Sequence, residues 1–199
     1  MPSRAAGSSI SSAPSSLVSF GESAEALFDA SMVEDWPKVD RALVTLETAR
    51  RDLEGAHPLQ QTERSQIDEQ LRAAKSSRAT TDASTLLRAA NELTRIAIDL
   101  GAAYATRIPI QVARLDYLGR KLQLGAKERD PRACPETVAT IRSTWDAVRP
   151  AVAGRDEPRA RAFDALVVRM ERATSLPDYA ALAKMELDQV DEIERVFER

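Results

Sequence analysis

Apolar residues in this chain recur every three to four positions, and the same run of positions returns 95 to 97 residues later. Leu43/Val138, Leu46/Ile141 and Leu53/Val148 are 95 apart. Ile67/Phe163, Leu71/Val167, Ala74/Met170, Asp82/Asp178 and Leu86/Leu182 are 96 apart, and Leu93/Val190, Ile96/Ile193 and Leu100/Phe197 are 97 apart. The short period is that of amphipathic helices. The long one is what a duplicated supersecondary unit leaves behind, with small loop insertions accounting for the drift. Shared helical rhythm gives the same matches, because any two amphipathic helices can be slid into register. Both readings predict an all-α fold: an antiparallel helical bundle of about seven helices, two similar three-helix halves joined by a long Pro-kinked central helix. The expected boundaries are a disordered Ser/Ala/Pro-rich tail at 1–16 and a single helical domain at 17–199, with candidate repeat units at 35–100 and 131–199.

Composition agrees with helices. Aromatic residues make up 5% of the chain, there are 7 glycines, and Asn91 is the single asparagine, which leaves strong helix formers in the majority. With 30% charged residues and a net charge of -3, there is no general attraction to nucleic acid or to an anionic membrane surface. The charge is uneven. Arg107, Arg114, Arg120, Lys121, Lys127, Arg129 and Arg132 outnumber Asp116, Glu128 and Asp130, whereas acids dominate from Lys184 onward. The simplest expectation is that these two stretches face each other. The early Ser, Ala and Pro residues contain no apolar run of a secretory signal. Such a leader also lies between a removed signal and the folded domain of exported bacterial proteins, so periplasmic and cytoplasmic locations both stay open.

Punctuation divides the chain into segments. A short helix from about Glu22 ends before Asp35-Trp36-Pro37, where Asp35 can cap the next helix and Pro37 fits its first turn. Gly55 closes that second helix, and a third runs from about Gln61 to Arg78. Asp82 or Thr81 opens the longest helical pattern, Ala83 to about Gly125, interrupted by Pro109, which demands a kink or a break near Arg107. Three more helices follow: Pro135 to Arg149, closed by Pro150; one opened by Asp156-Glu157-Pro158; and one begun by the capping pair Ser175 and Asp178. A tetratricopeptide array needs a 34-residue period, which is absent, and no family is assigned.

The residues offer little catalytic chemistry. The sequence has no glycine-rich phosphate loop, no G-x-S-x-G and no Cys/His cluster. The one histidine, His57, precedes a proline and reads as an exposed loop residue. The one cysteine, Cys134, stands at a helix start near Arg129 and Arg132, which would favour a thiolate, yet it has no second cysteine and no base and reads as a solvent-facing bystander. The best candidate ligand site is the polar set along the central helix: Glu92, Asp99, Tyr104, Arg107, Arg114 and Asp116, turned towards a pocket beside the Pro109 break. The competing reading is local pairing, Asp116 with Arg120 and Arg95 with Asp99, each four residues apart.

The expectation is therefore a non-enzymatic helical module without catalytic residues, metal or cofactor, binding a protein partner or itself through an exposed helix face. The alternative is a bundle that holds a small ligand or a metal beside Pro109.

Overall fold

The computed structural model describes residues 12–104 and 106–198. Among them are eight α-helices in chain order: α1 (Ser15–Met32), α2 (Trp36–Ala56), α3 (Gln61–Ala79), α4 (Ala83–Gly101), α5 (Ile110–Lys127), α6 (Ala133–Ala153), α7 (Glu157–Arg172) and α8 (Leu176–Glu198). None is long and apolar enough to cross a membrane.

The caps read from the sequence form as expected. Asp35 accepts the Lys38 N–H at 3.0 Å, Asp82 the Thr85 N–H at 3.1 Å and Asp156 the Arg159 N–H at 2.9 Å, each satisfying an amide that the helix start leaves open. At α8, Ser175 receives the Asp178 N–H at 3.2 Å. The ends of α1, α3 and α5 share a left-handed residue, Glu34, Thr81 and Arg129. In each turn the next N–H closes on a carbonyl five residues back: Asp35 on Ala30, Asp82 on Ser77 and Asp130 on Gly125.

Three boundaries differ from the sequence reading. The long central helix is two helices: Pro109 has an extended ψ of 137° and stands just before α5, because it has no N–H to continue the ladder and forces Ile108 out of helical geometry. That raises the count from about seven to eight, and the halves hold four helices each rather than three. α1 begins at Ser15, since Leu17 and Phe20 extend the apolar stripe of Ala24, Leu27 and Phe28; of the proposed tail 1–16, residues 1–11 lie outside the described residues. α6 continues through Pro150 to Ala153. Pro150 and Asp146, whose carbonyl loses its partner, are both exposed to water.

The eight helices form two four-helix units, α1–α4 and α5–α8, each with its own apolar core. In the first, α1 packs on α2 and α4, and α3 on α4; in the second, α5 packs on α6 and α8, and α7 closes against both α6 and α8. The units meet where α4 lies against α5. Leu124 of α5 belongs to the first core, and Ile98 of α4 packs on the second. All the matched apolar positions at offsets of 95 to 97 are buried. The stretch between the candidate units, 101–130, contains α5, whose inward residues stand 95 after those of α1: Leu17/Val112, Phe20/Leu115, Ala24/Gly119 and Leu27/Leu122.

Candidate functional site: the seam between the two units

The six sequence candidates separate into three places. Glu92, Asp99 and Arg114 come together where α4 meets α5. Arg95 bonds Glu92 at 2.8 Å and Asp99 at 2.7 Å, Arg114 approaches Asp99 at 3.5 Å, and the Tyr117 hydroxyl donates to Glu92 at 3.2 Å. Arg95 and Asp99 do pair along one helix, as local pairing predicts, but the carboxylates also reach across to the other unit. Burial, then the charge of Glu92, pushes the Tyr117 phenol up to about 12, so it serves as a hydrogen-bond donor at any physiological pH.

Tyr117 lines two clefts on this seam. One, of about 250 Å³, also contacts Arg88, Asn91, Glu92, Lys121 and Glu128, with Gly125 and Ala133 at its wall. The other, of about 220 Å³, is lined by Arg95, Ile98, Asp99, Arg114, Thr140 and Thr144. Most of the charges are already matched, Arg88 with Glu128 at 2.7 Å for example. Asn91 is the exception. It is 3% exposed, and its Oδ1 has no hydrogen-bond partner, which is an uncommon state for a buried polar atom.

Tyr104 and Arg107 lie elsewhere. The Tyr104 hydroxyl meets His57 Nδ1 at 2.5 Å; His57 is therefore half-buried and paired, not an exposed loop residue. Arg107 is exposed and donates to the Glu198 carbonyl at 2.6 Å, tying the loop before α5 to the end of α8. That bond joins the basic and acidic stretches, which also meet, as expected, where α5 packs on α8. Arg114 turns to α4, Lys127 to Glu34, and Arg120 chiefly to Asp116 and α1.

Asp116 sits on the other side of α5, in an acidic cluster shared by α1, α5 and α8. It pairs with Arg120, whose guanidinium also approaches Glu25 at 3.6 Å and Asp29 at 3.7 Å. Burial raises the Asp116 carboxyl against the pull of Arg120. Behind it, Glu186 of α8 is fully buried, and neither of its carboxyl oxygens has a partner. It fits only because residue 119 is glycine: a Cβ there would fall on the Glu186 carboxyl and come within 2.8 Å of Leu187. A signal for Glu186 was present, since it interrupts the inward stripe of Leu182, Ala183, Val190 and Ile193.

Cys134 is buried, contrary to the solvent-facing expectation, and lies behind Gly125. Burial pushes its thiol up, away from the thiolate needed for reactivity. Among the described residues no group of three or more His, Cys, Asp or Glu side chains could hold a metal ion. Comparison with known proteins gives no relative: no family model, no curated protein and no solved structure matches the chain.

Proposed function

We propose that this protein is a non-catalytic binding module that holds a small polar ligand in the seam between its two four-helix units. The observation that carries the reading is Asn91, buried in the wall of the 250 Å³ cleft with an unpartnered acceptor. A ligand N–H or O–H would satisfy it, and leaving it bare costs about 1–3 kcal/mol. Lys121, exposed at the same cleft, suits a carboxylate on the other end of the ligand. The chemistry described is that of an amino or hydroxy acid. A partner-binding module would call for an exposed apolar helix face; among the described residues the exposed large apolar side chains are Val18, Val33 and Val44, so the cleft is the better-supported site.

We further propose that the two units are copies of one four-helix ancestor, with the seam created when the copies joined. The matching offsets of α1 and α5, and of the interhelical pairs Arg50–Asp68 with Trp145–Asp164 and Glu47–Lys75 with Arg142–Glu171, support this.

Thermal melts in the presence of millimolar amino and hydroxy acids test the ligand reading. At a hundred times Kd a ligand adds about 2.7 kcal/mol, a rise of roughly 5–10 °C in a chain of this size. Asn91→Leu should abolish the rise while leaving the unliganded melt intact. A panel without any shift, or a shift that Asn91→Leu retains, would remove the cleft as the site.

A further inference from the structure

Asn91 shares its cleft with a second bare acceptor. Glu128 follows α5 directly, and its Oε1 is buried with no hydrogen-bond partner. Arg88 lies 2.7 Å from that oxygen but aims no N–H at it, so the charge is balanced while the hydrogen bond is not made. Both acceptors belong to the 250 Å³ cleft between α4 and α5. The other lining carboxylate, Glu92, is already engaged: Tyr117 donates to its Oε1 at 3.2 Å and Arg95 to its Oε2 at 2.8 Å. Two bare acceptors, one of them charged, call for a single donor group with at least two hydrogens. A hydroxyl has one, whereas an ammonium has three. Lys121 supplies the opposite sign. It is exposed at the cleft, and among the described residues no carboxylate pairs with it, whereas Arg88 has Glu128. Arg88 and Lys121 cancel Glu92 and Glu128, and Leu124, Gly125 and Ala133 add an apolar wall. The volume lies below the roughly 300 Å³ at which sites for drug-sized ligands begin.

We infer that the cleft selects an amino acid zwitterion with a small apolar side chain, its ammonium shared by Asn91 Oδ1 and Glu128 Oε1 and its carboxylate held by Lys121. The inference rests on the cleft being the ligand site, and it goes further by rejecting the hydroxy acid. A hydroxy acid leaves one of the two acceptors bare and brings a negative charge to the Glu128 carboxylate with no cation to offset it. A simple amine satisfies the acceptors but gives Lys121 nothing. A buried acceptor that goes unpaired is what lets a site turn away an analogue lacking the matching donor.

Three probes with one carbon skeleton test this at neutral pH: L-valine, 2-hydroxyisovalerate and isobutylamine, with Kd taken from the rise of the melting temperature with ligand concentration. L-Valine should bind at least about tenfold tighter than either of the others, the difference expected for one hydrogen bond to a charged group. Glu128→Gln keeps the shape and an acceptor but not the charge; valine should lose about tenfold, and 2-hydroxyisovalerate should not weaken. Lys121→Gln should weaken valine and 2-hydroxyisovalerate alike and leave isobutylamine unchanged. If 2-hydroxyisovalerate binds as tightly as valine and Asn91→Leu abolishes both, the zwitterion is overturned and the cleft stands. A preference for valine that Glu128→Gln keeps in full overturns it as well. If none of the three binds, the inference falls together with the cleft.

Discussion

Replacing Glu186 by methionine should stabilise the protein, and by more at higher pH. The side chain is fully buried, its two oxygens lack partners, and burial followed by the charge of Asp116 holds its carboxyl well above 4.5. Methionine has a similar length, no branch and no polar group, so it can follow the same path past Gly119 with little repacking. Removing an unsatisfied buried polar group returns about 1–3 kcal/mol. The pH dependence has a definite sign. Between 4.5 and its raised native value, Glu186 is protonated when folded and ionised when unfolded, so the native state of the parent binds the extra proton and loses stability as pH rises. The variant does not. Its advantage should grow by up to about 1.4 kcal/mol per pH unit. Urea unfolding at pH 5.5, 6.5 and 7.5, read as midpoint shifts at constant slope, measures this directly. A methionine variant less stable than the parent, or one whose advantage is flat with pH, would show that Glu186 has a partner or an ionised state that the geometry does not hold.

Gly119→Ala should destabilise by about 1–3 kcal/mol, since the new methyl meets Glu186 and Leu187 in a packed core; thermal melts that match the parent would show that α5 and α8 can move apart there. Trp145→Phe should lose about 1 kcal/mol in urea unfolding. The indole N–H donates to Asp164 at 2.7 Å, but Arg149 still holds that carboxylate at 2.9 Å, so a loss above 3 kcal/mol would mean that the pair with Phe163 matters more than the hydrogen bond.

Caps and inward faces were readable because each has a local signature: Asp35, Asp82 and Asp156 before helix starts, and leucines at three- and four-residue spacing. The candidate site was only half readable. Glu92 and Arg114 sit on one side of the α4–α5 contact and Asp116 on the other. Neighbours in sequence on a helix point about 100° apart, so Asp116 and Tyr117 serve different surfaces although the chain presents them together. What decides which surface each meets is the position of α1 and α8, a tertiary fact. The Pro109 break was visible, but its outcome was not: a kink would have kept the central helix whole, whereas the break turned its second half into the first helix of a new unit.

That change matters for the repeat. Apolar matches alone are weak support for copying, because amphipathic helices share a rhythm. Rhythm does not, however, place a polar pair across the same two helices at the same two positions. Arg50 bonds Asp68 at 2.7 Å between α2 and α3, and Trp145, 95 residues later, bonds Asp164, 96 residues later, at 2.7 Å between α6 and α7. Glu47 pairs with Lys75, and their counterparts Arg142 and Glu171 pair with the charges exchanged, at 2.7 Å. On the proposed duplication, a pair whose charges are exchanged between the units is kept for the contact and not for either residue. The one change of size has a visible consequence. In the second unit the indole packs at a tilt against Phe163 between α6 and α7, with centroids 4.5 Å apart. In the first, a guanidinium takes its place and a groove of about 410 Å³ stays open between α2 and α3. The units therefore differ where an outer pair of helices meets, while the inner helices α4 and α5 carry the seam.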